Sequence, residues 1–562
     1  MRITKYFICI FFILISYKTI YSQNSIQNDS IYTIQDSVLI PTKSGIDICA
    51  IIVRKKVNTT PLPAILFYTT YYQGKTDDYF AKLSADRDYV GIVAYARGIR
   101  TDIEYYAPYE HEKTDVYDII DWVSKQSWCN GKVGMFGGSY TGYSQWATTK
   151  NIHPSLKTIV PQVAVMPGFD SPMENNVPYG NILGWANDNI YKNKPYNRGL
   201  VFEWFNKGSS FRSLDSLGGQ PNPIFQKWLQ HPAYDAYWQS MVPTPQEYSK
   251  IDIPILSTTG YYDGSQIGAI QYLKLHNKYN KNANHYFVIG PYDHWGGQNR
   301  PQKNLMGYEI DSVANISMRE LALQWLDYIL KDKPKPELLK DKINYQVMGT
   351  NEWRHAPSLD KINNDTLTLY LDHTTLATQK PKKKECENQT VNFKDRESQN
   401  NYFTPQIIFD TLDASNGLIF KTQTFENDFS INGSFFGDLF ATINKKDMDV
   451  SLALYELMPD GKYFFLTRYV GRASYAKDNS KRQLLKPNKK ESIPFDNTRF
   501  VSKKISKGNQ LVILLNINKH PFEIINYGSG KPVSDETIKD AGEPLQIKWH
   551  NDSFIKIPIW KN

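Results

Sequence analysis

Apolar runs of strand length alternate with a helical pattern along the first part of the chain. The runs lie at Pro63–Tyr68, Tyr89–Tyr95 and Val133–Phe136, and each is typical of a strand buried on both faces. Between the last two, apolar residues recur at helical spacing over Val116–Val123. An alternating segment at 31–55 predicts a hairpin in front of them. Strands that alternate with helices predict a parallel sheet.

The alternation stops between residues 155 and 250, where Asn, Tyr, Trp and Pro are frequent and apolar segments are short and amphipathic. It returns with predicted strands at Ile255–Gly260 and His285–Gly290 and predicted helices at Ile267–His276 and Arg319–Leu330. The segment at 155–250 is therefore predicted to be a helical insertion over the sheet.

The C-terminal part of the chain has a different pattern. Lys331–Glu337 has the composition of a linker. From residue 341 onwards helical periodicity nearly disappears, and short alternating strands recur, for example at Thr366–Leu371, Val450–Glu456 and Leu511–Ile517. This pattern predicts a second domain that is a β-sandwich.

Composition and charge exclude several classes of function. The chain has 562 residues, too many for a single hydrophobic core. Its formal net charge of +8 is spread thinly, so we expect no nucleic-acid partner. Of its four cysteines, Cys9 lies in the N-terminal apolar run and the other three lack metal-ligand spacing. We therefore expect no structural zinc site.

The N-terminus has the layout of a secretory signal peptide. Arg2 and Lys5 precede a short apolar run at Phe7–Ile15, and a small residue, Ser22, follows at cleavage distance. The run is too short to span a bilayer as a stable helix, and no later run reaches spanning length. Residues 1–22 are predicted to be removed, which leaves an exported protein, periplasmic or secreted, without stable membrane insertion. The alternatives are an uncleaved anchor or a buried helix.

A glycine-rich turn, Gly137–Gly142, joins the third apolar run to a helical pattern. A nucleophile elbow needs this context, because it holds a serine on a strained strand-to-helix turn. Thr141 departs from the plain G-x-S-x-G pattern, and the alternative is a glycine-rich turn without chemistry. The flanking strand and helix favour the elbow, with Ser139 as nucleophile of an α/β-hydrolase.

A serine nucleophile needs a base, and the base needs an acid to orient it. In this fold the order along the chain is serine, acid, histidine, and His294 directly follows an apolar strand. Among the other histidines that follow Ser139, three have a structural explanation as a loop, helix-surface or strand residue: His231, His276 and His285.

The acid should leave the strand before that of His294. Asp263 does so, although an aspartate before glycine is in isolation more often a turn residue. Asp293 is the rival, but adjacent residues rarely reach the geometry of an acid–base pair. Asp263 is therefore predicted to be the acid.

The oxyanion of a tetrahedral intermediate needs two hydrogen-bond donors. One is expected to be the backbone N–H of Tyr140. The other should come from the loop at Thr69–Gly74, where the phenol hydroxyl of Tyr71 or Tyr72 could donate a hydrogen bond. The alternative is that both tyrosines only line the pocket.

These motifs together resemble the family of cocaine esterase, α-amino-acid ester hydrolases and X-prolyl dipeptidyl-peptidases, over nearly all of the chain after residue 35. The matching segments are Arg97-Gly98, Asp118–Gly134, Gly137–Gly142, Gly260–Asp263, Gly290–His294, Met348–Arg354 and Met458–Gly461. Tyr261 and Tyr292 replace the tryptophans of the family's acid and histidine motifs.

The resemblance implies an α/β fold: an α/β-hydrolase core with a helical cap insertion, followed by a C-terminal jelly-roll β-sandwich. The implied segments are 31–154 and 251–332 for the core, 155–250 for the cap and 341–562 for the β-sandwich. The resemblance also implies an acyl-enzyme on Ser139 that needs no cofactor and no metal. It places Tyr71 at the position of the oxyanion tyrosine.

Substrate choice depends on carboxylates near the acyl site, because a substrate ammonium must be paired once water is excluded. In α-amino-acid ester hydrolases acidic residues follow the triad acid, whereas Gly264-Ser265-Gln266 follow here. Asp170, Glu174 and Asp188 in the insertion could substitute, and ordinary loop carboxylates are the alternative.

The sequence therefore favours a broad acyl esterase acting on small-molecule ester, amide or short-peptide substrates. An X-prolyl dipeptidyl-peptidase or α-amino-acid ester hydrolase is the alternative. A glycan-binding exported protein is a further alternative, because exported jelly rolls can bind glycans, but the intact triad positions argue against it. The oligomeric state stays open.

Overall fold

The structure is a computed structural model that describes residues 29–74, 77–191, 196–399 and 406–561. The predicted signal peptide at 1–22 lies outside the described residues. The first elements form the first part of the core: β1 (Tyr32–Ile40), β2 (Ile48–Lys55), β3 (Leu62–Thr69), α1 (Tyr79–Asp86), β4 (Val90–Tyr95), α2 (Glu112–Ser124), β5 (Cys129–Gly138), α3 (Tyr140–Thr148) and β6 (Leu156–Gln162).

Short helices fill the predicted insertion. Its elements are β7 (Met173–Glu174), β8 (Val177–Pro178), α4 (Ile182–Ile190), α5 (Leu200–Lys207), α6 (Leu214–Leu217), α7 (Pro223–Leu229), α8 (Ala236–Gln239) and α9 (Pro245–Tyr248). The apolar sides of these helices are buried, with Trp204, Phe225 and Trp238 among the buried aromatic side chains. Burial of one side of each helix explains the short amphipathic patterns of the sequence.

The alternation of strands and helices then resumes. The elements are β9 (Ile255–Gly260), α10 (Gln266–Tyr279), β10 (His285–Gly290), β11 (Asn304–Leu305), β12 (Tyr308–Glu309), α11 (Met318–Lys331), β13 (Ile343–Val347) and β14 (Glu352–Ala356). Lys331 closes α11, and Asp332 caps the helix in the left-handed conformation, so the predicted linker begins one residue later than the composition indicated.

The core is one ten-stranded sheet in the order β1-β2-β4-β3-β5-β6-β9-β10-β13-β14. The strands from β4 to β13 in this order run parallel to one another, as the alternation of strands and helices predicted. The pairs β1–β2, β2–β4 and β13–β14 are antiparallel. Alternate side chains point to opposite faces. Ile65, Phe136 and Val160 pack with Trp325 of α11, while α3 covers the other face.

The C-terminal part is almost entirely β-structure. Its strands are β15 (Asp365–Asp372), β16 (Thr375–Ala377), β17 (Cys386–Val391), β18 (Ile408–Phe409), β19 (Leu418–Lys421), β20 (Phe429–Ser434), β21 (Phe436–Ile443), β22 (Asp449–Leu457), β23 (Tyr463–Arg472), β24 (Lys490–Phe495), β25 (Phe500–Ile505), β26 (Gln510–Ile517), β27 (Leu545–His550) and β28 (Phe554–Trp560). Nearly all of their pairings are antiparallel. The predicted fold class, an α/β-hydrolase core with a helical insertion and a C-terminal β-sandwich, is confirmed.

Two further properties follow from the described part of the chain. No helix there combines the length and apolar character that a membrane crossing requires. Cys49, Cys129 and Cys386 are all free thiols, the first two buried.

Candidate active site

Ser139 lies on the sharp turn between β5 and α3. Its backbone has φ +62° and ψ −124°, which an L-residue rarely adopts, so the turn is strained. A side chain at Gly137 would place its Cβ 2.3 Å from Cγ2 of Thr141. Thr141 therefore fits the elbow because it packs directly over a glycine, and the departure from the usual pattern does not disturb the turn.

The loops after β9 and β10 bring a carboxylate and an imidazole together. The two strands are parallel neighbours that end in register at Gly260 and Gly290. Beyond them, the backbone N–H of Tyr262 donates to the carbonyl of Tyr292 (3.0 Å). With the loops joined in this way, His294 Nδ1 donates to Asp263 Oδ1 at 2.7 Å.

Asp263 is completely buried and fully hydrogen-bonded. Besides the imidazole, it accepts the hydroxyl of Thr259 (2.6 Å) and the backbone N–H of Ser265 (2.9 Å). Burial acts to raise the pKa of Asp263, but His294 and these donors outweigh it and the pKa is lowered. Burial acts to lower the pKa of His294, but the carboxylate of Asp263 outweighs it and the pKa is raised. The pair can hold an imidazolium during a reaction.

The side chain of the rival acid, Asp293, accepts hydrogen bonds from the backbone of its own turn. Its Oδ1 accepts the backbone N–H groups of Trp295 (3.1 Å) and Gly296 (2.7 Å). The side chain of His294 is 30% exposed, so one end of the buried pair is open to a ligand.

The three histidines that the sequence indicated as structural have partners within the chain. His231 pairs with Asp235 (2.8 Å), and His285 contacts Ser257 (2.8 Å). The helix-surface interpretation of His276 is wrong, because its side chain is buried against His285 (Nδ1 to Nδ1, 3.3 Å). Helix α9 packs on α10 and covers the face that carries His276.

The loop after β3 presents a phenol to Ser139. The hydroxyl of Tyr71 donates to Ser139 Oγ at 3.4 Å, whereas Tyr72 is 40% exposed and packs on Tyr95 and Arg100. The structure thus places Tyr71, not Tyr72, beside Ser139. Trp185 Nε1 donates to the Tyr71 hydroxyl (3.3 Å). Sequence reasoning missed Trp185, for which the only signal was the aromatic-rich composition of the insertion.

Tyr140 is the first residue of α3, where backbone N–H groups have no partner within the helix. Its hydroxyl donates to the carboxylate of Glu112, which also accepts the backbone N–H groups of Tyr109 (3.0 Å) and His111 (3.1 Å). Burial raises the pKa of Glu112 to about 7. Glu112 anchors the helix turn that carries the predicted oxyanion N–H, and sequence reasoning missed it as well.

A loop residue ties the elbow to the histidine loop. Gln298 Nε2 donates to the carbonyl of His294 (3.0 Å). A Cβ added at Gly138 would lie 2.1 Å from Gln298 Oε1. Ser139 and His294 therefore stand on loops that meet through one side chain.

The three carboxylates predicted as substrate-binding residues all have partners within the chain. Asp170 is buried and accepts the backbone N–H groups of Met166 (2.7 Å) and Gly268 (2.8 Å). Glu174 is buried and pairs with Arg499. Asp188 is exposed, and its Oδ2 lies 3.5 Å from Arg198. The structure does not gather the three into one cluster of open carboxylates.

One group among the described residues has the spacing of metal ligands: Asp372, His373 and Glu385 in the C-terminal domain. His373 Nε2 lies 2.5 Å from Glu385, and its Nδ1 lies 2.9 Å from Glu387. Glu387 and Glu385 raise the pKa of His373. Lys383 also pairs with Glu385. These contacts are those of an imidazolium held between two carboxylates on the surface, and the group has no contact with the Ser139 region.

Two family models match successive segments of the chain. Residues 44–296 match the family model of the X-Pro dipeptidyl-peptidases (S15 family). Residues 339–522 match the model of the X-Pro dipeptidyl-peptidase C-terminal non-catalytic domain. The two models follow each other in the same order as the core and the β-sandwich, and together they match more than half of the chain.

Individual relatives cover nearly the full length. Cocaine esterase from Rhodococcus sp. (strain MB1 Bresler) is 21% identical, over 95% of this chain and 100% of the relative. An aminopeptidase from the marine sediment archaeon Thaumarchaeota archaeon has a similar structure, with a TM-score of 0.80, 19% identity, and coverage of 96% of this chain and 98% of that one. A structure of an α-amino acid ester hydrolase has a TM-score of 0.78 and 19% identity, and covers 96% and 100%. The chain belongs to the family of serine hydrolases that comprises the X-Pro dipeptidyl-peptidases of the S15 family, cocaine esterase and the α-amino-acid ester hydrolases.

Proposed function

We propose that the protein hydrolyses an ester or amide acyl bond through an acyl-enzyme on Ser139, with His294 as base and Asp263 as acid. The observation that carries this proposal is the 2.7 Å hydrogen bond between His294 and the buried carboxylate of Asp263. Gln298 joins the loop of His294 to the strained turn of Ser139. A buried carboxylate that holds an imidazole is the arrangement needed to activate a serine hydroxyl.

The steps follow from the positions of the groups. His294 removes the proton of Ser139 as the serine oxygen attacks the acyl carbon, and it then protonates the leaving group. Asp263 fixes the imidazole and stabilises its cation. The backbone N–H of Tyr140 and the hydroxyl of Tyr71 donate to the oxyanion. Water then attacks the acyl-enzyme with the same base.

Trp185 supports the role of Tyr71. Its indole N–H donates to the phenol oxygen, so that the phenol hydrogen is left to point at Ser139 Oγ. A donor fixed in advance stabilises developing charge without reorganisation when the reaction occurs.

We propose a broad acyl esterase as the specific activity. Two of the carboxylates predicted to bind a substrate amine support this choice, because both have partners within the chain. Asp170 accepts two backbone N–H groups, and Glu174 pairs with Arg499. One observation favours an amine-dependent peptidase or ester hydrolase as the second candidate. Oε1 of Glu174 is buried without a hydrogen-bond partner and retains acceptor capacity.

Matched substrates separate the two candidates. We expect measurable hydrolysis of p-nitrophenyl butyrate and slower cleavage of Xaa-Pro-p-nitroanilides, because an amide leaving group must be protonated as it departs. For an amino-acid ester, acetylation of its α-amine should change kcat/KM by less than about tenfold, since no buried carboxylate loses a partner. The measurement is kcat/KM for each ester and its N-acetyl counterpart. Turnover restricted to substrates with a free amine would establish the second candidate instead.

We also propose that the protein is exported, from the charged and apolar pattern of its first residues. Protein recovered from the cell envelope or medium of the native organism should lack the first twenty or so residues. N-terminal sequencing checks this. A chain that begins at Met1 or Arg2 would contradict processing, and recovery only from the cytoplasm would contradict export.

A further inference from the structure

The C-terminal domain reaches into the loop that carries the proposed acid. Arg499 precedes β25 of that domain, and its Nη1 donates to the main-chain carbonyls of Asp263 and of Gly264, the latter at 3.2 Å. The two carbonyls lie in the turn between β9 and α10. They therefore receive their donor from a residue 236 positions further along the chain.

The guanidinium is buried, with 8% of the Arg499 side chain exposed, and a buried cation needs an anion. Nη2 of Arg499 donates to Oε2 of Glu174, which lies in β7 of the insertion. The same carboxylate oxygen accepts the hydroxyl of Tyr179 at 2.7 Å. Arg499 thus connects three parts of the molecule: the acid loop, the insertion and the β-sandwich.

A neighbouring contact fixes the next turn of the same segment. Gln266 Nε2 donates to the carbonyl of Phe500 (2.8 Å), and the backbone N–H of Phe500 donates to Gln266 Oε1 (2.6 Å). The main chain of Arg499 is itself fixed within the C-terminal domain, because the hydroxyl of Thr467 donates to the Arg499 carbonyl (2.8 Å). Two consecutive residues of the C-terminal domain therefore hold both sides of the acid turn.

We propose that Arg499 is a positioning residue for the reaction. It holds the main chain of Asp263, so that the carboxylate stays oriented toward Nδ1 of His294. The inference rests on the proposed triad. Arg499 donates to the peptide carbonyls and not to the carboxylate, whose own partners are His294, Thr259 and Ser265. Its effect is therefore on orientation. The domain that the family description calls non-catalytic would supply part of the catalytic framework.

Arginine suits this position because one planar group offers several donors at fixed angles. A lysine at 499 would keep the positive charge beside Glu174 but could not donate to two carbonyls and a carboxylate in the same geometry. The charged and titratable groups around the guanidinium are Glu174, Tyr179, Asp263, Arg468 and Asp170. Arg499→Lys leaves all of them in place, so it tests geometry rather than charge.

The readout is the second-order rate constant for labelling of Ser139 by a fluorophosphonate, measured across pH, which needs no knowledge of the natural substrate. For R499K we expect the rate to fall about 10- to 100-fold, the size of effect that a displacement near 1 Å produces. The acid limb of its pH profile should move to lower pH, because a displaced Asp263 raises the pKa of His294 less. The final fraction of labelled protein should match the wild type.

Arg472→Lys is the matched control. Arg472 is also a buried arginine of the C-terminal domain, and its Nε and Nη2 each donate to Asp449 at 2.9 Å. R472K can lower the melting temperature but should leave the labelling rate and its pH limb unchanged. An equal loss in R472K would show general loosening of the domain and overturn the inference.

A milder pair of variants covers the case in which R499K does not fold. Thr467→Ala removes the hydroxyl that holds the Arg499 carbonyl, and Thr467→Ser keeps it. We expect T467A to lower the labelling rate severalfold, with the same shift of the acid limb, and T467S to restore both. If R499K shows the wild-type labelling rate and the wild-type acid limb, the inference is overturned while the proposed triad stands. If R499K does not fold, the same result in T467A overturns it. Wild-type labelling at a serine other than Ser139 would overturn the proposed triad and this inference with it.

Discussion

Replacing Ser139 by Ala should abolish labelling by a fluorophosphonate and lower ester turnover by about 10³-fold or more. The variant removes only the attacking oxygen. Residual turnover would come from substrate binding and from the donors to the oxyanion, Tyr140 and Tyr71. The measurements are mass spectrometry of the labelled peptide and kcat/KM with p-nitrophenyl butyrate.

The S139A variant should fold, because it loses a single side-chain oxygen and leaves the packing of the turn unchanged. Ser139 adopts φ +62° in the wild type, and alanine is subject to the same backbone strain. Ser144, in the same helix α3, gives a matched control, because its hydroxyl donates to the helix carbonyl of Thr141 (3.0 Å). S144A should keep wild-type labelling. A labelled serine elsewhere in S139A would remove Ser139 from the mechanism.

Local signals in the sequence were sufficient for the core and for the placement of the triad candidates. Each of Ser139, Asp263 and His294 directly follows a buried strand, and parallel neighbours end at the same edge of a sheet. The apolar runs therefore predicted both the sheet and where its functional loops lie. The pairing of Asp263 rather than Asp293 with His294 followed from the same placement.

Residues that support these groups from a distance could not be predicted. Trp185 meets Tyr71 across 114 positions, and Arg499 meets Asp263 across 236. Such contacts depend on how separate elements pack, and no local periodicity marks them. His276 shows the converse error. Its spacing indicated a helix surface, but whether a helix face is solvent-exposed depends on what packs against it, here α9.

The two tyrosines that replace the family's tryptophans illustrate a further limit. Tyr261 is buried, stacks on Phe500 and donates its hydroxyl to the carbonyl of Gln346 (2.5 Å). Tyr292 is buried and donates to the carbonyl of Ala314 (2.8 Å). Both keep an aromatic body with one polar donor, as an indole does. The substitutions are conservative because of main-chain acceptors that the sequence does not reveal.

Asp263→Asn should lower turnover by about 10⁴-fold. In the wild type, Oδ1 of Asp263 accepts both the Nδ1–H of His294 and the backbone N–H of Ser265. The neutral amide of asparagine cannot stabilise the imidazolium that forms when His294 takes the proton of Ser139, and its NH₂ group cannot accept a hydrogen bond from either donor. The measurement is kcat/KM with p-nitrophenyl butyrate, together with the rate of fluorophosphonate labelling across pH.

The pH profile separates this effect from a loss of structure. Asp263 raises the pKa of His294, and the base acts only when neutral, so the wild-type acid limb should have its midpoint above that of a free imidazole. Without the carboxylate that pKa falls, and the limb of D263N should move to lower pH while the plateau drops. Asp293→Asn is the control: one oxygen remains to accept the N–H groups of Trp295 and Gly296, so turnover should change little. If D293N lost turnover as predicted for D263N, and D263N kept it, the acid would be Asp293 and the fold assignment would stand.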